Sequence, residues 1–218
     1  MILTFVAKEL HIAPEGAKIA LAIALVAIIA WFINLPWLAV AGLVVAVAIA
    51  SFFRDPERSP ERVNNVVISG ADGKVTDIGE ATLPGASSTP FRRVSVFMSP
   101  LNVHINRASV SGEVISVEHA EGEFRAAFRD YASEHNERTS IVLEDVDGRR
   151  HALVQIAGYL ARRIVCRLHP RDRILAGQRI GLIMFGSRVD HYLPLDYRVA
   201  VKLGDRVRAG ETIIGELP

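Results

Sequence analysis

The sequence predicts a mainly β protein of the α+β class: a sandwich- or barrel-like β domain, folded over on itself, behind an N-terminal apolar helical hairpin. Three observations carry this. From Ile19 to Phe53 there is no Asp, Glu, Lys, Arg or His. After Arg62 the chain becomes a series of short β-like runs punctuated by Gly, Pro and Asp. Asp172-Arg173-Ile174-Leu175-Ala176-Gly177-Gln178-Arg179-Ile180 matches Asp205-Arg206-Val207-Arg208-Ala209-Gly210-Glu211-Thr212-Ile213, each reading strand, glycine turn, strand.

The apolar run is interrupted at Asn34-Leu35-Pro36. Proline disfavours helix at the residue before it, so a turn is expected there, flanked by two helices of roughly 17 residues, near the lower limit for a bilayer core of about 30 Å. Lys8 and Lys18 precede the run, and Arg54, Arg58 and Arg62 follow it. Basic residues at both ends place both on the cytoplasmic side, and Trp31, Phe32 and Trp37 cluster at the turn, where an aromatic belt belongs. Acidic Glu9 and Glu15, and a second apolar run without a clear cleavage site, argue against a signal peptide. Residues 1–62 are therefore expected to be a membrane-associating hairpin with a basic linker, and residues 63–218 a β-rich domain on the cytoplasmic face of the cell membrane. Helices this short leave open whether the hairpin spans or dips into one leaflet.

Strands are predicted at Val66–Gly70, Gly73–Gly79, Arg93–Met98, Ser111–Val117, Ser140–Glu144 and His151–Ala157, with a hairpin turn at Asp147-Gly148. One helix is expected at Phe124–Ser133, and a short turn or helical start at Pro100–Asn106. The net charge of +1 argues against a nucleic-acid partner. A single cysteine, Cys166, excludes an internal disulfide framework and multi-cysteine zinc, and reads as a buried thiol in a strand. No metal-binding histidine pattern occurs among the seven histidines.

The repeated segments resemble the halves of lipoyl and biotinyl carrier domains, which present a lysine at a hairpin tip. Here the stretch between the repeats holds Gly186-Ser187 instead, and Lys202 has no Met-Lys-Met setting. A membrane-tethered carrier or scaffold of this architecture, without catalysis, is the alternative reading. Gly-Ser pairs are most often turns. The same peptide bond can also cut itself: the serine hydroxyl attacks the preceding carbonyl, the ester eliminates, and a pyruvoyl group remains.

Gly186-Ser187 has company. The apolar hairpin, Phe53-Arg54-Asp55-Pro56, Ala71-Asp72-Gly73, Ser99-Pro100 to His104, Gly158 to Arg163 and Phe185-Gly186-Ser187 occur in this order. As an ordered set they resemble phosphatidylserine decarboxylase proenzymes, most closely the short form, over nearly the whole chain. The resemblance implies cleavage between Gly186 and Ser187 into a large chain 1–186 and a small chain 187–218. The cofactor would be a covalent pyruvoyl group made from Ser187. It would form a Schiff base with phosphatidylserine, release CO2 and yield phosphatidylethanolamine at a lipid membrane. Homodimerisation is also implied.

Self-cleavage needs a base to activate Ser187 and a group to orient that base. Asp72, His104 and Ser187 are the candidate triad. Asp-Gly most often serves as a turn and a lone histidine as a structural residue; the resemblance favours the functional reading. Longer family members carry a second histidine three positions after the first, where this chain has Arg107. His104 would then serve both steps, or another group such as His169 would assist. Arg107 is no practical base but can hold a phosphate or carboxylate. Between Arg162 and Arg188 lie seven arginines and one acid, Asp172. This is a basic face for an anionic headgroup or a solvated strand face. Asn136-Glu137-Arg138 also resembles a family motif and otherwise reads as a surface loop.

Overall fold

The computed structural model describes residues 11–83, 89–123, 135–158, 163–184 and 187–218. The expected helix at Phe124–Ser133 and the positions of Gly186 and Arg162 lie outside the described residues. The chain divides into two compact units, 1–57 and 58–218.

In the first unit, α1 (Pro14–Phe32) and α2 (Pro36–Phe52) each begin on a proline, whose fixed φ and missing N–H suit a first helical turn. Asn34, at φ 59°, turns the chain between them. Alanines line the helix contact: Ala27 and Ala30 of α1, and Ala39 and Ala46 of α2, are buried. A Cβ on Gly42 would stand 2.9 Å from that of Ala27, so small residues set the close approach. The outer surface is apolar: Val26, Phe32 and Trp37 are 61, 81 and 69% exposed. α1, with a mean hydropathy of 1.9, is long and apolar enough to cross a membrane; α2, at 17 residues, is shorter.

The second unit is mostly β, a curled half-barrel sheet with two smaller sheets. Its strands are β1 (Val66–Ile68), β2 (Gly73–Thr82), β3 (Pro90–Met98), β4 (Ile105–Arg107), β5 (Gly112–Ala120), β6 (Arg138–Glu144) and β7 (Arg150–Ile156). There follow β8 (Ile164–Cys166), β9 (Arg173–Ile174), β10 (Arg179–Ile183), β11 (Ser187–Leu193), β12 (Arg198–Val199), β13 (Arg206–Val207) and β14 (Ile213–Glu216). The antiparallel eight-stranded sheet has the order β13-β2-β3-β11-β7-β6-β5-β9; the smaller sheets are β1-β14-β12 and β4-β10-β8. Val75, Val96, Ile141, Leu153, Ile180, Val189 and Ile214 belong to one buried cluster that fixes which way each strand faces.

All six expected strands are present, within a few residues at their ends. Asp147-Gly148 forms the expected turn, with Gly148 at φ 77° and the Asp145 carboxylate accepting from the amides of Asp147 and Arg149. Pro100–Asn106 is a turn followed by β4 rather than a helical start, because Ile105 pairs with Leu182. Cys166 lies in β8, half-buried, and burial raises its thiol pKa.

The repeat is reproduced bond for bond. Asp172 and Asp205 each accept from the amide three residues earlier, that of His169 and that of Lys202. The Arg171 and Gly204 amides bond to Val114 and Val75, whose own amides return to Asp172 and Asp205. Gly177 and Gly210 take φ 82° and 78°, where a side chain would be strained. The match extends outward. Lys74 faces Phe97, which faces Arg188; Glu113 faces Glu144, which faces Arg150. Both outer pairings slip by one residue, between Val75 and Asp77 and between Val114 and Ser116. The large sheet thus reads equivalently from its two edges, with β11 and β7 at the centre.

Candidate active site

Asp72 lies in the turn that carries the chain from β1 into β2. Two close approaches shape the turn. A Cβ on Gly70 would stand 2.4 Å from Leu153 Cδ2 and 2.7 Å from the Arg107 carbonyl, and one on Gly73 would stand 2.1 Å from the Phe97 carbonyl. Only glycine fits such positions. The Asp72 carboxylate is buried. It accepts from Arg58 Nη1 and Nη2 at 2.5 and 3.0 Å and from the Ala209 amide at 2.7 Å.

His104 follows a turn closed by Asn102, whose side-chain oxygen accepts from the Ser99 amide and hydroxyl at 2.9 and 2.7 Å. Its Nδ1 lies 2.9 Å from the Asn102 carbonyl. A carbonyl only accepts, so Nδ1 carries the proton and Nε2 is the basic nitrogen of the neutral ring. The ring is 2% exposed. The His104 carbonyl accepts from the Ile183 amide, which sets it beside the strand leading toward Ser187.

Ser187 is the first residue of β11 and is fully buried opposite Met98. Its Oγ donates to Met98 Sδ at 3.5 Å, a weak acceptor. With β3 between β2 and β11, Asp72 and Ser187 stand at the same end of three adjacent strands. The loop leaving Met98 at that end carries His104. Among the described residues the three side chains are not hydrogen-bonded to one another. Asp72 is engaged by Arg58 and Ala209, and Ser187 rests on Met98.

Other residues were not singled out by sequence. His191, on β11, accepts from the Gly70 amide through Nε2 at 2.8 Å and donates from Nδ1 to the Val94 carbonyl at 3.1 Å. Burial pushes its pKa down to about 4, so it is a neutral pin between the Asp72 turn and the Ser187 strand. Asn106 Oδ1 accepts from Gln155 Nε2 at 2.8 Å, and Asn106 Nδ2 reaches the same Met98 sulfur at 3.7 Å; both residues are fully buried. Strand alternation marks His191 and Gln155 as inward-facing, and a polar residue at an inward position was the available signal.

Arg107 is buried and donates to the Gly177 carbonyl at 2.9 Å, tying β4 to the glycine turn rather than facing a headgroup. His169 sits in an exposed turn beside Asp172, its side chain 83% exposed. Arg188 is buried and ion-paired with Asp190 at 2.8 Å, because β11 is covered on both faces, so it leaves the basic surface. Arg163, Arg167, Arg171 and Arg173 remain exposed. Asn136 is no surface loop: it is fully buried and donates to the Ala157 carbonyl at 2.7 Å, closing the end of β7.

Comparison with known proteins identifies the family of the chain. Residues 45–215 match the family described as phosphatidylserine decarboxylase. The chain is 47% identical to a phosphatidylserine decarboxylase proenzyme of Mycolicibacterium smegmatis over 184 residues, 83% of this chain and 79% of the relative. It is 45% identical to that of Chlorobium chlorochromatii over 197 residues, 90% and 92% of the two chains. Against the Syntrophus aciditrophicus proenzyme it is 39% identical over 205 residues, 94% and 96%. With most of its length matched at this identity, the chain belongs to the phosphatidylserine decarboxylase family, as a self-processing, pyruvoyl-dependent proenzyme.

Proposed function

We propose that Ser187 is the serine that becomes the pyruvoyl group, with His104 and Asp72 as the acid–base residues of the same site. The observation that carries this is convergence: three residues distant in sequence stand at one end of β2, β3 and β11. The niche around Ser187 suits the change. Its hydroxyl has only a thioether partner among the described residues, so turning the hydroxymethyl into a methyl as Cα becomes the ketone carbon forfeits no strong side-chain hydrogen bond to any of them. The pyruvoyl group supplies a carbonyl that condenses with the phosphatidylserine amine and accepts the electrons left when CO2 departs.

The chain's own residues set up the cut between Gly186 and Ser187. His104 Nε2 takes the proton from Ser187 Oγ, and the Asn102 carbonyl holds the ring in the tautomer that leaves Nε2 basic. Asp72, held by Arg58 and the Ala209 amide, places a carboxylate at the same end of the sheet as an acceptor for the site. Residues 1–62 attach the enzyme to the cell membrane, and residues 63–218 work on its cytoplasmic side. Of the basic flank formed by Lys8, Lys18, Arg54, Arg58 and Arg62, Arg58 is ion-paired with Asp72 and the more exposed Arg62 with Glu216. The β unit reads as two lipoyl-type halves folded over each other, with the carrier lysine replaced by the Gly186-Ser187 junction.

Intact mass measurement tests the assignment. Two chains divided at 186/187, the small one lighter by one ammonia than a serine-started peptide, are expected. Ser187→Ala should remain a single uncut chain with unchanged melting temperature. A cut elsewhere, or normal processing of Ser187→Ala, sinks it.

A further inference from the structure

We infer that Arg58 is the positioning residue for the Asp72 carboxylate. This deepens the proposed reading and rests on Asp72 serving self-cleavage. Arg58 sits in a segment that the sequence marks as characteristic but to which it gives no task. Its side chain is 9% exposed. Nη1 donates both to Asp72 Oδ1 and, at 2.9 Å, to the Ala209 carbonyl, while Nη2 donates to Asp72 Oδ2. The Ala209 amide donates back to Asp72 Oδ1 at 2.7 Å. Arg58, Asp72 and Ala209 thus form a closed ring that holds both carboxylate oxygens and both polar groups of Ala209.

The matched turn shows what Arg58 adds. There Ser111 Oγ accepts from the Ala176 amide at 2.9 Å, as Asp72 accepts from Ala209. The backbone bond alone is thus met by a neutral hydroxyl. A carboxylate at this depth needs a cation, and the planar guanidinium fixes both of its oxygens where an ammonium would hold one. Ala209 lies on the segment that begins at Ser187. The ring therefore fixes Asp72 against the part of the chain that carries the reacting residue, before and after the cut.

The test is the rate at which full-length precursor is cut, followed by intact mass well below the melting temperature. Arg58→Met is expected to cut roughly 10- to 100-fold more slowly, the scale of a catalytic group misplaced by about 1 Å. Arg58→Lys should fall between it and wild type. Added guanidinium ion should speed Arg58→Ala and leave Asp72→Asn and Ser111→Ala unmoved, a response that a merely stabilising arginine does not produce. Wild-type cutting by Arg58→Met, with Asp72→Asn uncut, overturns the role of Arg58 and leaves that of Asp72 standing. Wild-type cutting by Asp72→Asn removes Asp72 from the site and this inference with it. If Arg58→Met does not fold, Arg58→Lys decides: about tenfold slower at the wild-type melting temperature supports the assignment, and an unchanged rate overturns it.

Discussion

The two ends of the large sheet are built alike and differ where chemistry is expected. At one end stand Asp72, Met98 and Ser187; the matched positions at the other are Ser111, Asp145 and Arg149. At the second end Asp145 and Arg149 are joined by a tight turn around Gly148, and the Asp145 side chain caps that turn. At the first, β3 and β11 are neighbours in space but not in sequence. Met98 runs on into the His104 loop, and Ser187 enters from β10 through residues 184–186. A duplicated architecture thus closes one strand pair with a hairpin and leaves the other open. The open pair begins with the serine, and its neighbouring turn carries a paired charge where the closed end has a hydroxyl.

The largest effect that would break this equivalence is on self-cleavage. Asp72→Asn keeps an acceptor for the Ala209 amide but removes the charge. We expect processing to fall by about 10³-fold or more, within the range for a lost acid–base group. Ser111→Ala, the matched change at the closed end, should process at the wild-type rate. Time courses of both variants decide the point; equal rates would mean that the two turns are functionally interchangeable.

How far the sequence could be read divides along the same line. The hairpin helices, the six strands and the repeated turns follow from local signals: a run without charges, alternation, and Asp and Gly at fixed offsets. Asp72, His104 and Ser187 could be proposed from the sequence because each sits in a short recognisable segment. Arg58, His191, Asn106 and Gln155 were not, since their partners lie far off in sequence. Arg58 meets Ala209, and Gly70 meets His191. No periodicity encodes such pairs. Arg188 misled for a related reason. Alternation puts it opposite Ser187 and hence outward, but that face of β11 is also covered, as the buried Tyr192 and Ile156 beside it show.

His191 sharpens the comparison next, because Leu153 occupies its matched place on β7. His191 folds neutral, with a pKa near 4 against an ordinary 6.5; burial is the main cause, and the Val94 carbonyl and Asp190 act in the opposite sense. The unfolded chain therefore takes up the proton first. This contribution to stability is full above about pH 6.5 and is lost as pH falls toward 4, at about 1.4 kcal/mol per pH unit. His151, buried beside Asp145 and also shifted down, adds a loss of the same sign. His191→Leu should cost about 1–3 kcal/mol at pH 7.5, because the Gly70 amide loses its acceptor. It should also destabilise less steeply than wild type between pH 6.5 and 5. Urea titrations at several pH values give both numbers, and parallel slopes would remove His191 from the account.

The two matched glycines of the repeat, Gly177 and Gly210, come third. Alanine at either forces a side chain into the left-handed region, at about 1–2 kcal/mol. They are not equal. A Cβ at Gly177 would stand 3.0 Å from Pro60 Cδ, whereas one at Gly210 would stand 2.8 Å from Arg107 Cδ. Arg107 must then shift, and its bond to the Gly177 carbonyl goes with it. Gly210→Ala should therefore melt lower than Gly177→Ala, by a few degrees for a domain of this size. The reverse order would show that Arg107 accommodates the methyl without losing its bond.

The smallest effect concerns stability at the two matched turns. Ser111 is half-buried, so Ser111→Ala releases the Ala176 amide to a site that water can reach, for about 0.5–1 kcal/mol. Asp72→Ala should cost more, about 3 kcal/mol, since it leaves the buried Arg58 charge with only the longer, part-exposed contact to Glu211 at 3.6 Å. The double variant Arg58→Met/Asp72→Ser removes both charges and restores the hydroxyl found at the closed end. Replacing a buried ion pair by neutral groups is often near neutral in stability, so this variant should melt close to wild type while remaining uncut. Such a protein would have two silent ends on an intact fold. If it instead melted as low as Asp72→Ala, the ring of Arg58, Asp72 and Ala209 would be holding the fold together as well as aiming the carboxylate.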